Sequence, residues 1–203
     1  MPRPLRDPKR SGASGPRVVL GVTGSIAAYK SVEILRGLVK AGAEVRCVLT
    51  PNGARFIPPL TLATLSANPV AQDPFDVSLW DMTHVSLASW ADLILVAPAT
   101  ADFIARLATG RAEGLLDSLV LAADCRVAVC PALHENMWKH PATQRNVGTL
   151  RGFGYEVWGP GRGELASGVV GWGRLLDPAE IVSRALSRRA LGRRRAGGKP
   201  HAA

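Results

Sequence analysis

Cysteine is scarce in this chain. Its three residues, Cys47, Cys125 and Cys130, share no C-x-x-C spacing, which argues against a disulfide framework or a zinc ribbon. Cys47 and Cys130 sit in apolar strand-like runs and Cys125 just before one, so all three read as small buried hydrophobes. No apolar run is long enough to span a bilayer. The N-terminus has no apolar stretch of the kind a secretory signal needs, so the cytoplasm is the expected location. H-E-x-x-H, Walker A, G-x-S-x-G and G-x-G-x-x-G are all missing, and no metal site is expected. Acidic residues are almost absent from the two ends, and that asymmetry accounts for the net charge of +9. Between the ends the chain is close to neutral and shows no basic patch. Neither nucleic acid nor a membrane is an expected partner.

Of 203 residues, 47% are hydrophobic, enough for one domain with a full core. We expect that domain over residues 16–187. Basic, low-complexity tails flank it at 1–15 and 188–203, the second containing Arg193-Arg194-Arg195, and such tails are expected to be disordered. Inside the domain, short apolar runs alternate with helical spacing. Strands are predicted over 17–23, 44–50, 93–97, 127–130 and 155–158. Helices are predicted over 26–41, 60–66, 101–109, 115–123, 141–152 and 178–187. In the first helix Ile34, Leu35, Leu38 and Val39 form one apolar face, and Gly42 stops it. The Gly-rich run 160–173 has no period and reads as a mobile loop. Strands joined by helices predict an α/β fold, a parallel sheet covered on both faces.

Several strand ends carry residues suited to a ligand. Gly24-Ser25-Ile26 follows the first strand and opens a helix, an arrangement that suits a phosphate but is equally an ordinary αβ turn. Thr50 ends the second strand and either meets a phosphate or caps the helix after Pro51. Thr100 precedes Ala101-Asp102-Phe103 and is at least an N-cap. His84 is either structural or a proton-transfer group. His134 follows another strand end and can bind a carboxylate or phosphate, act as a base, or be a plain loop residue. Met137 and Trp138 read first as packing residues.

Four segments in order carry a resemblance: V-T-G-S-I-A-A-Y-K, T-H-V-S-L-A-S-W-A-D-L-I-L-V-A-P-A-T-A-D-F-I-A-R-L-A-T-G, P-A-L-H-E-N-M-W-K-H-P-A-T-Q-R-N-V and G-E-L-A-S-G-V-V-G-W-G-R-L. Over about residues 16–185 the chain resembles the homo-oligomeric flavin-containing cysteine decarboxylases. The resemblance implies a flavodoxin-like (Rossmann-type) doubly wound sheet, FMN as cofactor, and a trimer or dodecamer with the flavin at a subunit interface. It implies that Gly24, Ser25, Ile26, Thr50, Thr100, Ala101, Asp102, Phe103 and Ala132 line the FMN. His84 matches the family's active-site His in H-x-x-L-x-x-W-A-D. Substrate contacts are implied for His134, Met137, Ala166 and Gly168, and the catalytic Cys position of G-x-x-A-C-G holds Ser167. A ligase domain often fused downstream in bacteria has no expected counterpart in the Arg-rich C-terminal stretch.

Two positions depart from the family pattern. His134 stands where the family has a substrate-binding Asn, and lacks the side-by-side donor and acceptor of an amide. Ser167 stands where the family has an acid Cys; a thiol ionises near 8.5, a hydroxyl far less readily. In the implied reaction the cysteinyl unit gives up a hydride, loses CO₂ and becomes an ene-thiol; in coenzyme A synthesis the Cys then returns a proton. The first expectation is therefore oxidative decarboxylation of a thiol substrate, such as a peptide with a terminal Cys, that stops at the ene-thiol. The alternatives are phosphopantothenoylcysteine decarboxylation in coenzyme A biosynthesis, or a non-catalytic flavin-binding relative.

Overall fold

β1 (Arg17–Val22), β2 (Glu44–Leu49), β4 (Leu93–Ala99) and β5 (Arg126–Pro131) form the centre of a parallel sheet, with β3 (Val70–Ala71) and β6 (Glu156–Val157) as short edges. This computed structural model describes residues 15–187 except Leu165, Ser167 and Val169, and not the side chain of Trp80. Apart from Gly15, both basic tails lie outside the described residues, as does the position of Ser167.

Strand order is β3-β2-β1-β4-β5-β6, every pair parallel. The chain winds outward from β1 to β3, then returns to lay β4 against the other side of β1. That reversal makes a doubly wound sheet with its switch point between β1 and β4, the flavodoxin-like, Rossmann-type arrangement expected from the sequence.

Strand periodicity explains both layers of the core. Val18, Leu20, Val22, Leu93, Leu95 and Ala97 face one side, where α1 (Lys30–Lys40), α3 (Pro59–Ser66) and α9 (Pro178–Leu186) pack. Val19, Ile94 and Val96 face the other, covered by α4 (His84–Trp90), α5 (Ala101–Ala108), α6 (Leu115–Leu121) and α8 (Pro141–Gly152). Central parallel strands buried on both faces read as continuous apolar runs for this reason. All three cysteines are buried and free. Burial pushes the Cys47 thiol up to about 12 and that of Cys125 to about 11, and raises Cys130 further. None is a thiolate at neutral pH.

Several local expectations are corrected. The helix expected from residue 26 opens with a 3-10 turn, Ile26–Tyr29, capped by Ser25, and Val39 points to solvent rather than joining Ile34, Leu35 and Leu38. The fourth strand runs on to Ala99, and the sixth is only Glu156–Val157. Residues 135–139, where the sequence predicts no element, form the short helix α7 (Glu135–Lys139), with His134 as its N-cap. The Gly-rich run is not a structureless loop. Its described part is an antiparallel ribbon, β7 (Gly161–Glu164) paired with β8 (Val170–Arg174). Sequence period fails there because the glycines serve close backbone approach rather than a buried face.

Candidate active site

The switch-point crevice is built by the residues that follow each central strand. Thr23 is buried just beyond β1, donates its hydroxyl to the Pro98 carbonyl at 2.8 Å and accepts the Thr100 amide at 3.2 Å. One side chain thus stitches the ends of β1 and β4, beside the point where the β4–β5 ladder shifts register. Pro98 is tolerated in a central strand there because it owes no amide to the ladder. Ser31, at the start of α1, donates to the Ala97 carbonyl at 2.7 Å. These contacts fix the floor of the crevice and were not visible as a site in the sequence.

Above the floor, the turn after β1 carries the first ligand-facing groups. Ser25 donates to the Ala132 carbonyl at 3.3 Å and accepts the Ala27 amide at 3.3 Å, tying the β1 turn to the end of β5. Gly24 has no room for a side chain: a Cβ would lie 2.5 Å from that of Asn52. A close-packed Gly-Ser turn opening a helical turn leaves backbone amides free for an anion. Thr50 donates to the Val22 carbonyl at 3.3 Å and accepts from Gly53 at 3.1 Å, capping α2 (Pro51–Ala54). Thr100 caps α5 through the Phe103 amide at 3.2 Å. So both threonines are N-caps, and Phe103 gives its side chain to the core and its amide to Thr100. Ala101 is half-buried at the head of α5, and Asp102 is paired with Arg106 at 3.0 Å.

A cavity of about 680 Å³ opens beside this turn, within the usual range of small-molecule sites. Ser25, Ile26, Lys30, Ala132, His134, Ala166 and Arg174 are among its walls. His134 accepts the Asn136 amide at Nδ1, 3.2 Å, so it fills the capping role at the head of α7 and leaves Nε2 to meet a ligand. Met137 is half-exposed on α7 and packs against little, unlike Trp138, which joins the core edge. Gly168 has φ +79° and open space around it. His84 does not line this cavity. It is half-buried at the first turn of α4, on the other helical layer.

The ribbon roofs the cavity because β8 docks on the segment after β5. The Leu133 amide donates to the Gly173 carbonyl at 3.0 Å. Gly173 has φ +141°, and a Cβ there would sit 2.0 Å from the Leu133 carbonyl oxygen, so only glycine fits. Glu135 completes the dock: its carboxylate accepts the Trp172 amide at 3.3 Å and pairs with Lys139 at 3.0 Å. A Cβ at Gly171 would fall 2.6 Å from that carboxylate. Lys139 and the Trp172 amide hold Glu135 below the usual carboxylate range, so the carboxylate's part of the dock is in place at neutral pH and weakens as pH falls through that lowered value. Glu135→Ala is expected to speed hydrogen exchange at the Trp172 amide about ten-fold, the release of one charge-assisted bond, while core amides keep their rates; unchanged exchange at Trp172 would show that the glycine contacts alone hold the ribbon.

A doubly wound parallel sheet with a Gly-Ser turn after β1, two capped helix heads and a roofed cavity at the β1 and β5 ends defines an α/β protein of the flavodoxin-like type. The Flavoprotein family matches residues 7–190, and the chain belongs to that family. The Coenzyme A biosynthesis bifunctional protein CoaBC of Vibrio vulnificus (strain YJ016) is 48% identical over 171 residues, 84% of this chain and 43% of the relative. That of Escherichia coli (strain K12) is 44% identical over 175 residues, 86% of this chain and 43% of the relative. This chain therefore spans less than half the length of these bifunctional relatives. Among solved structures, a Cys-to-Ser mutant of PPC decarboxylase complexed with pantothenoylaminoethenethiol superposes with a TM-score of 0.75 at 30% identity, covering 84% of this chain and 96% of that one. The FMN-dependent cysteine decarboxylase SpaF gives 0.74 at 31% identity, covering 87% and 98%.

Proposed function

We propose that this chain is an FMN-dependent carboxy-lyase acting on a cysteinyl thiol, with phosphopantothenoylcysteine as its substrate. The observation that carries the reading is the roofed cavity at the β1/β5 strand ends, in a chain 44–48% identical to CoaBC proteins over more than four-fifths of its length. Identity to the CoaBC proteins exceeds that to either solved decarboxylase, PPC decarboxylase at 30% and SpaF at 31%, and this favours the pantothenoyl compound over a peptide end as substrate.

The residues present fit FMN. The turn at Gly24 and Ser25 can hold its phosphate with backbone amides and a hydroxyl, while Thr50 and Thr100, at the heads of α2 and α5, follow the neighbouring strand ends outside the cavity walls. Ile26 and Ala132 offer apolar contact. FMN supplies the hydride acceptor that oxidation of the cysteinyl unit requires. His134 receives the substrate carboxylate through Nε2, with Met137, Ala166 and Gly168 around it. His84 takes the thiol proton as the hydride leaves. It stands apart from its own chain's cavity, and Phe75, Val77 and Val85, close to it in sequence, are exposed apolar residues. Both facts support a homo-oligomer, a trimer or dodecamer, in which the site is completed between copies.

The purified protein is expected to be yellow and to release FMN on heating. Mixed anaerobically with phosphopantothenoylcysteine it should evolve CO₂ and lose flavin absorbance, whereas His84→Asn should keep FMN but bleach at least about 100-fold more slowly, the usual scale of general acid–base catalysis. Bleaching at the parental rate would make His84 structural, and a colourless protein that takes up no FMN would end the reading. Light scattering should give at least three times the chain mass of 21.5 kDa; a flavin-loaded monomer would contradict a shared site.

A second reading rests on Ser167 itself. A hydroxyl there removes the acid that would complete the pantothenoyl reaction, so the product of this chain is the ene-thiol, as in oxidative decarboxylation of a terminal Cys. A Cys-to-Ser mutant of PPC decarboxylase held just such an ene-thiol compound, which supports that outcome whichever thiol is the substrate.

A further inference from the structure

Two cationic side chains face the cavity with no counter-charge in contact. Lys30 opens α1 and Arg174 ends β8, elements far apart in sequence, yet both line the same cavity. Neither forms an ion pair within 4.0 Å or a side-chain hydrogen bond among the described residues. Three carboxylates stand nearby without pairing with either cation. Asp177 caps α9 through the Ala179 amide at 2.8 Å. Glu33 lies on the next turn of α1, and Glu164, across the ribbon, lines the same cavity. Arg174 lies flat across the neighbouring strand, where a Cβ on Gly163 would come within 3.1 Å of its guanidinium. The ribbon glycine thus leaves room for the arginine. Lys30 is held below its ordinary pKa, first by partial burial and then by the charge of Arg174, with Glu33 and Asp177 opposing both more weakly. Like charges gathered at a cavity wall are relieved by an anion that bridges them.

We propose that Lys30 and Arg174 form a subsite for a phosphate monoester at the far end of the substrate, so that the chain selects phosphorylated over unphosphorylated pantothenoyl thiols. The assignment rests on the functional reading above and extends it to specificity. The same chemistry would suit the phosphate of the cofactor, which the Gly24–Ser25 turn already accommodates, so the test separates the two phosphates.

The experiment measures binding of 4′-phosphopantothenate and pantothenate, which lack the reacting thiol, to the FMN-loaded protein by calorimetry. The wild-type protein is expected to bind the phosphorylated compound at least about ten-fold more tightly, the loss typical of one or two charge-assisted hydrogen bonds. The Lys30→Gln, Arg174→Gln double variant should bind both compounds equally, and Arg174→Lys should restore part of the preference. Equal binding by the wild-type protein, or a preference that survives in the double variant, would overturn the subsite. A parallel fall in FMN affinity in the double variant would also overturn it, by assigning the pair to the cofactor phosphate. A phosphate preference in a protein that never decarboxylates the cysteinyl substrate would uphold the subsite and refute the catalytic reading instead.

Discussion

Without oxygen, the wild-type protein should release about one CO₂ per bound flavin and then stop, while Ser167→Cys should continue. The expectation follows from proton chemistry at one position. Loss of CO₂ from the oxidised cysteinyl unit needs no acid, because the electrons collapse into the C=S group. Saturating the resulting ene-thiol needs a proton delivered at carbon as the hydride returns. A thiol, with pKa near 8.5, can give that proton near neutrality; a serine hydroxyl cannot. No other thiol stands in, since Cys47, Cys125 and Cys130 are buried, far from ionisation, and outside the cavity wall. A positioned acid is worth about 10²–10⁴-fold, so anaerobic turnover should rise by that order in Ser167→Cys, with the product moving from an ene-thiol absorbing in the near ultraviolet to the saturated thiol. His134→Asn in addition should raise it further if the imidazole displaces the substrate carboxylate. Many anaerobic turnovers by the unaltered protein would show that Ser167 is no obstacle.

Asp117→Ala should cost about 3–5 kcal/mol of stability, the usual result of stripping one partner from a buried ion pair. Asp117 is almost fully buried at the head of α6. Its carboxylate accepts the Gly114 amide at 2.8 Å, the Glu113 amide at 3.2 Å and the Arg106 guanidinium at 3.1 Å. Removing it orphans two amides and leaves Arg106 only its exposed partner Asp102. For a domain of this size the loss corresponds to a fall in melting temperature of roughly 6–20 °C. Asp117→Asn keeps one carbonyl acceptor and should lose less. Because Arg106 belongs to α5, whose head carries Thr100, the Ala variant should also retain FMN less well. A melting temperature within about 2 °C of the parent would show that the turn at 110–114 holds without this network.

The dock of the ribbon and the stitching of the strand ends show where sequence reading stops. The central strands, most of the helices and the burial of the cysteines were legible, because each follows from the apolar period of ten or fewer neighbouring residues, whereas the double winding was implied by the family resemblance. Thr50 and Thr100 were legible as caps for the same local reason, as was the turn at Gly24-Ser25. The Gly-rich run misled because its glycines answer to partners elsewhere: Gly173 to Leu133, Gly171 to Glu135, Gly163 to Arg174.

By itself, then, the sequence determined the central strands, most of the helices and, through the ordered motifs, the family. Tertiary structure alone decided that Thr23 binds β1 to β4, that His134 caps a helix while facing a cavity, that Lys30 meets Arg174 there, and that His84 stands on the other layer. The physical reason is separation along the chain. Thr23 and Pro98 are 75 positions apart and Ser25 and Ala132 are 107 apart, so no local period records their meeting. Only the winding of the sheet, which sets the ends of β1, β4 and β5 side by side, brings such residues within hydrogen-bonding distance.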